Sequence, residues 1–228
     1  MTTERRYAEL HAHSAFTFLD GTDEPARMVE EAARLGLDAL AILDVDGMYS
    51  TVQTTMAARA AGLPIVYGAE LTLAWDALRG IVAGSSAPGW GLAPGAEDPG
   101  MRLPILAASP SGYANLVGAM SDRSLSEPGQ RKPRHDLVNL SEAGGDLVVL
   151  TGGRRGPLMR ALRAGGAASA RRVLDVLVDA FGRDHVLVEW QGARGDEDEA
   201  GDMLAELART SGTRLVATSG ARMSSPSK

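Results

Sequence analysis

The stretch "LHAHSAFTFLDG", residues 10–21, places His11 and His13 two apart and closes on Asp20 and Gly21. Half of the chain's four histidines thus fall within three positions. On extended chain, side chains two apart point to one face, so the two imidazoles can share an ion. Carboxylates able to join them follow further on: Asp44 and Asp46 in "AILDVDG", and Glu70 in "YGAEL". Nitrogen and oxygen ligands of this kind suit zinc, manganese or iron. Such an ion polarises a phosphate oxygen and generates hydroxide for attack. A second chemistry is written in "TGGRRG", residues 151–156, where glycine amides stand beside Arg154 and Arg155 in an arrangement able to hold phosphate. The segment lacks the Walker lysine pattern, which excludes the usual nucleoside triphosphate loop.

These residues need a frame to bring them together. Short apolar runs recur at 7–10, 39–43, 65–71, 103–108, 146–151, 185–190 and 214–218, with helix-like segments between them. That is the sequence form of parallel βα units, predicting either a barrel or a doubly wound sheet. In both, function gathers at the C-terminal ends of the strands, where the candidate ligands lie. Thr22 is the expected cap of a helix beginning Asp23-Glu24-Pro25, with Met28, Val29, Ala32, Ala33 and Leu35 on its apolar face and Gly36 ending it. Further helices are predicted near 50–61, 112–120, 155–164, 167–181 and 197–211. Residues 84–101 hold five Gly and three Pro and read as a surface loop or insertion. Residues 121–135 read as a second, basic loop.

Composition narrows the classes. A chain of 228 residues with 44% hydrophobic residues supports one domain with one substantial core, spanning 1–228. Without cysteine there is no disulfide, thiolate ligand or cysteine nucleophile. No run is long and apolar enough to span a bilayer and no signal peptide is evident, so a cytoplasmic, membrane-free protein is expected. The net charge of −6 argues against a generally basic nucleic-acid coat, yet residues 121–172 carry ten Lys/Arg against five acids. His135 in the basic loop is expected at the surface, His185 as a packing or capping residue, and Tyr113 and Trp190 in the core. Trp75 is expected over the mouth of the site, and "GDEDEAGD" at 195–202 reads as an acidic helix start.

From Tyr7 to Leu73 the chain resembles the PHP (polymerase and histidinol phosphatase) domain of bacterial DnaE-type DNA polymerases. "ELHAHSAFTFLDG", "ALAILDVDGMY" and "GLPIVYGAEL" look like its first three motifs. The likeness continues through "ILAASPSGYANL", "LVVLTGGRRGPLMRALRAGG", "FGRDHVLVEW" and "LVATSGARM". The Asp46-Gly47 pair and the later segments lean toward the error-prone branch rather than the replicative polymerase III alpha subunit. The resemblance implies a distorted seven-stranded (β/α) barrel. The close at "SSPSK" is expected to mark a truncation after the last strand or a naturally short product.

In active members of that family nine side chains hold a trinuclear metal cluster that cleaves phosphoesters. Four of these positions match here as metal ligands: His11, His13, Asp20 and Glu70. Five are replaced, by Val45, Arg102, Gly153, Gly220 and Arg222, although Asp44 remains beside Val45. Arginine stays cationic, so Arg102 and Arg222 would repel ions and pair with Glu70, Asp20 or Asp44. The expected role is therefore structural or interactive, with no catalytic residue in this domain and one residual zinc or manganese at most. Its partner would be the polymerase core of a parent protein engaged in DNA replication, repair or translesion synthesis, with DNA contacted through that core. Two alternatives stay open. One is a metal-dependent phosphoesterase or 3′–5′ exonuclease on the residual ligands. The other is a phosphate-binding module using the arginines.

Overall fold

The computed structural model describes residues 6–74, 78, 100–126, 134–144, 146–192 and 197–224. The elements run β1 (Ala8–Ala12), α1 (Pro25–Arg34), β2 (Ala39–Ile42), α2 (Thr51–Ala61), β3 (Gly68–Leu73), β4 (Met101–Ala107), α3 (Pro110–Ser126) and α4 (Leu137–Glu142). They continue with β5 (Leu147–Leu150), α5 (Pro157–Phe181), a 3₁₀ turn at Arg183–His185, β6 (Val186–Gln191), α6 (Glu197–Ser211) and β7 (Arg214–Thr218). Seven strands therefore stand where seven apolar runs predicted them. Every residue of β3 is buried, as expected of a strand covered on both faces.

The strands form two sheets, β1-β2 and β3-β4-β5-β6-β7, and not one closed ladder. β1 and β2 pair in parallel, as do β5 with β6 and β6 with β7. β4 departs from the expected all-parallel order, running antiparallel to both β3 and β5. Its first residues, Met101 and Arg102, therefore lie beside Leu73 and Thr72 at the C-terminal end of β3. Arg102 reaches the ligand-bearing end of the sheet from a strand start, an approach that a rule based on strand ends misses.

Three apolar clusters hold these layers. The largest buries α3, α5 and α6 against β3–β6 through residues such as Leu71, Leu103, Ile105, Leu116, Leu174 and Leu204. A second packs Met28, Val29 and Ala32 of α1 and Ala58 of α2 over Leu40 and Ile42. The third is small and draws on both sheets: Leu10, Ala41, Leu106, Leu150, Leu187 and Val216.

Local differences from the sequence reading have physical causes. The N-cap of α1 is Glu24, and Thr22 instead donates its hydroxyl to the Arg222 carbonyl. α3 continues through Ser126, so the start of the expected basic loop is helical. The remainder of that loop through 133, Trp75 and most of the Gly/Pro-rich loop lie outside the described residues. His135 is 2% exposed, because its backbone pairs with β3 through His135 N to Thr72 O and Ala74 N to His135 O. The two predicted helices at 155–164 and 167–181 join as α5 across a break where Gly166 takes φ 65°.

Candidate metal and anion site

β1 carries His11, His13 follows directly after the strand, and both are buried. β3 supplies Glu70 opposite them. One ligand atom from each of His11, His13 and Glu70 lies within 4.8 Å of the others. His11 Nδ1 stands 2.7 Å from Glu189 Oε1, and its Nε2 stands 3.2 Å from Glu70 Oε1. A carboxylate accepts but cannot donate, so the Nδ1 facing Glu189 carries hydrogen. Glu189 thus orients the imidazole, in the manner of a carboxylate behind a metal-binding histidine. Burial alone would depress the His11 pKa, but the negative charge and hydrogen bond of Glu189, with Glu70 behind them, raise it to about 10. Burial likewise opposes ionisation of Glu70, and the neighbouring imidazoles hold it well below the usual carboxylate range.

His13 is the exception in this network. Its Nε2 lies 3.3 Å from Glu70 Oε2 and its Nδ1 3.9 Å from Asp20 Oδ2. Neither nitrogen makes a hydrogen bond, although both are buried. A buried imidazole that faces carboxylates yet completes no hydrogen bond fits a ligand set for a single ion.

The cations fit a cluster less well. Arg102 Nη1 donates to Glu70 Oε2 at 3.1 Å. Asp20 is held from outside by Arg222, Nε to Oδ1 at 3.0 Å, and by Arg155, Nη1 to Oδ2 at 3.5 Å. Asp20 stands apart from the compact His11–His13–Glu70 group. The structure pairs Arg102 with Glu70 and Arg222 with Asp20, and places Arg155 on Asp20 as well. Asp44 pairs with no arginine among the described residues. Its carboxylate accepts the Ser14 amide and the hydroxyls of Ser14 and Thr17, which fixes the loop after β1. Arg154 lies beside Arg155 in the turn leading into α5.

Several site residues escaped the sequence reading. Glu189 anchors His11 and also accepts the Thr218 hydroxyl and the Gln191 amide. A Cβ added at Gly153 would come 1.8 Å from Gln191 Oε1, and one at Gly220 2.9 Å from Gln191 Nε2, so Gln191 occupies the space beside both glycines. Glu9 ties β1 to the end of β7, accepting the amide and hydroxyl of Ser219 through one oxygen and the His11 amide through the other. Asp46, which the sequence did single out, accepts the amide and hydroxyl of Thr72, and burial nonetheless raises its pKa. The signal for Glu9 and Glu189 was present in the sequence: each is an acid with apolar residues on both sides within a strand, which buries only when partnered.

The family model described as "PHP domain" matches residues 9–193. The chain is 43% identical over 224 residues to an error-prone DNA polymerase of Mycolicibacterium paratuberculosis, covering 97% of this chain and 19% of that protein. The corresponding polymerase of Mycobacterium tuberculosis is 42% identical over the same shares. The chain thus spans about a fifth of the length of these curated relatives. Among solved structures, a candidate metal-dependent phosphoesterase of Bifidobacterium adolescentis superposes with a TM-score of 0.60 at 17% identity, covering 98% of this chain and 90% of that one. An amidohydrolase of Chromobacterium violaceum, solved with sulfate and no metal, gives 0.59 at 15%, covering 95% and 87%. At these identities the likeness establishes the fold alone.

Proposed function

Since the chain belongs to the PHP domain family, we propose that it is the PHP domain of an error-prone DNA polymerase. In that setting it packs against the polymerase core and works as a structural and docking module, not as a hydrolase. Replication or repair synthesis, contact with DNA through the core and a cytoplasmic location belong to the parent protein on this reading. It rests on identity along nearly the whole chain to curated polymerases about five times as long. Further support comes from the guanidinium of Arg102 seated on Glu70, the central carboxylate of the site. The two sheets are read as arcs of one distorted seven-stranded (β/α) barrel. Supporting this are the isolated bridges Leu40↔Ile65 and Val45↔Glu70 on one side, the Glu9–Ser219 bonds on the other, and the apolar cluster drawing on six strands.

If an ion binds, His11, His13 and Glu70 would hold it, with Glu189 orienting His11; zinc or manganese suits these donors. Bound there, it would supply Lewis-acid polarisation of a phosphate oxygen. The buried His13 imidazole, whose nearest polar contacts are carboxylates at 3.3 and 3.9 Å and which completes no hydrogen bond, favours this second reading, a one-ion phosphoesterase. Incubating the purified chain and a His11→Ala variant with bis(p-nitrophenyl) phosphate and Mn²⁺ or Zn²⁺ separates the two. The structural reading expects no hydrolysis above background. Turnover that His11→Ala abolishes would establish the enzyme instead. The parent assignment is tested by the genomic reading frame around residues 1–228, where the absence of polymerase palm carboxylates would overturn it.

A further inference from the structure

We propose that Arg155 and Arg222 form a clamp for a phosphate group, ester or diester, in which the Asp20 carboxylate is the internal stand-in. The two guanidinia take opposite oxygens of one carboxylate, Arg222 on Oδ1 and Arg155 on Oδ2. A planar oxyanion held from two sides by guanidinium N–H groups has the geometry of a phosphate contact.

Both cations are anchored by their backbones. The Arg155 carbonyl accepts the Arg102 amide, and the Arg222 carbonyl accepts the amide and hydroxyl of Thr22. The turn carrying Arg155 is closed by Gly152 at φ 77°, where an added Cβ would come 2.7 Å from Gly156 Cα. The side chains, in contrast, are about half exposed, and such ion pairs contribute little net stability. Asp20 is also presented by a strained loop, since Leu19 before it holds φ 65° with its side chain in solvent. On the inner side His13 Nδ1, which makes no hydrogen bond, stands 3.9 Å from Asp20 Oδ2 and offers a further donor. The clamp uses no metal ion and so stands apart from the functional reading above.

Calorimetric titration with inorganic phosphate, and in a parallel arm with a short thymidine oligonucleotide, tests the clamp in EDTA at constant ionic strength. Asp20→Asn, which empties the clamp of its own anion, is expected to bind about tenfold more tightly than the parent chain. In that background Arg155→Gln and Arg222→Gln should each lose about tenfold, whereas Arg171→Gln, a surface cation paired with Asp175, changes nothing. Arg155→Lys and Arg222→Lys keep the charge but lose the fork, and they serve if a glutamine variant fails to melt cooperatively. Phosphate binding assigns a terminal phosphate, and oligonucleotide binding alone assigns a backbone diester. No saturable binding of either probe to Asp20→Asn, or binding indifferent to both arginines, overturns the proposal.

Discussion

Glu70 Oε2 is shared by Arg102 and His13, at 3.1 and 3.3 Å. A cation already covalently part of the chain therefore competes with any ion for the same oxygen. Arg102→Met should remove that competitor and raise Mn²⁺ affinity, measured by calorimetry, by about 10- to 100-fold, the worth of one charge-assisted contact. Unchanged affinity would mean that Arg102 does not guard the site. His135 supports a second residue-scale test. Burial, with Arg123 nearby, lowers its pKa from 6.5 to about 4. Because the folded value lies below the unfolded one, its contribution is complete above pH 6.5 and is lost as pH falls toward 4. The shift corresponds to roughly 3 kcal/mol. His135→Gln should therefore flatten the loss of melting temperature between pH 6.5 and 4. At this scale the ligand types were legible because histidines and acids stood out against apolar runs. The contacts of Glu189 and Gln191 were not, since each depends on strands brought together from opposite ends of the chain.

α5 illustrates what can be read of an element. The Gly165-Gly166 pair marked a break, and Gly166 holds φ 65° and ψ −165°, a region open essentially to glycine. Among the described residues no atom beyond its chain neighbours and the adjoining helix backbone lies within 4 Å of a Cβ built there, so Gly166→Ala isolates backbone strain from crowding. Denaturant unfolding should show a loss of about 1–3 kcal/mol; a neutral result would mean the helix re-forms straight. The tie between β1 and β7 is likewise testable, because Glu9→Gln replaces an anionic acceptor of Ser219 by a neutral amide. Hydrogen exchange at Ser219 and Thr218 should quicken about tenfold or more, while β4 stays protected. The positions of the seven strands were readable from their apolar runs. The reversal of β4 was not, because a buried strand carries the same pattern in either direction. α4, six residues long, is too short to express a helical period.

The whole chain carries a net charge of −6, yet three arginines converge on the carboxylates of one site. Overall charge is thus a poor guide to what this surface attracts. If internal ion pairs occupy the site in place of structural ions, chelation should leave the fold untouched. EDTA is expected to move the melting temperature by less than about 2 °C, whereas a fold built on bound metal would lose several degrees for each kcal/mol withdrawn. A large downward shift would restore metal to a structural role.

The reversed β4 has one more consequence, for chain engineering. β3 ends, and β4 begins, on the side of the molecule where Glu70 and Arg102 meet. The chain thus leaves β3 and enters β4 on that one side. A circular permutant opened between Ala74 and Gly100 would keep the parallel strand pairs β1–β2, β5–β6 and β6–β7 each within a continuous stretch of chain. Its new termini would emerge beside the arginines, so a fluorophore coupled there would report on the mouth directly.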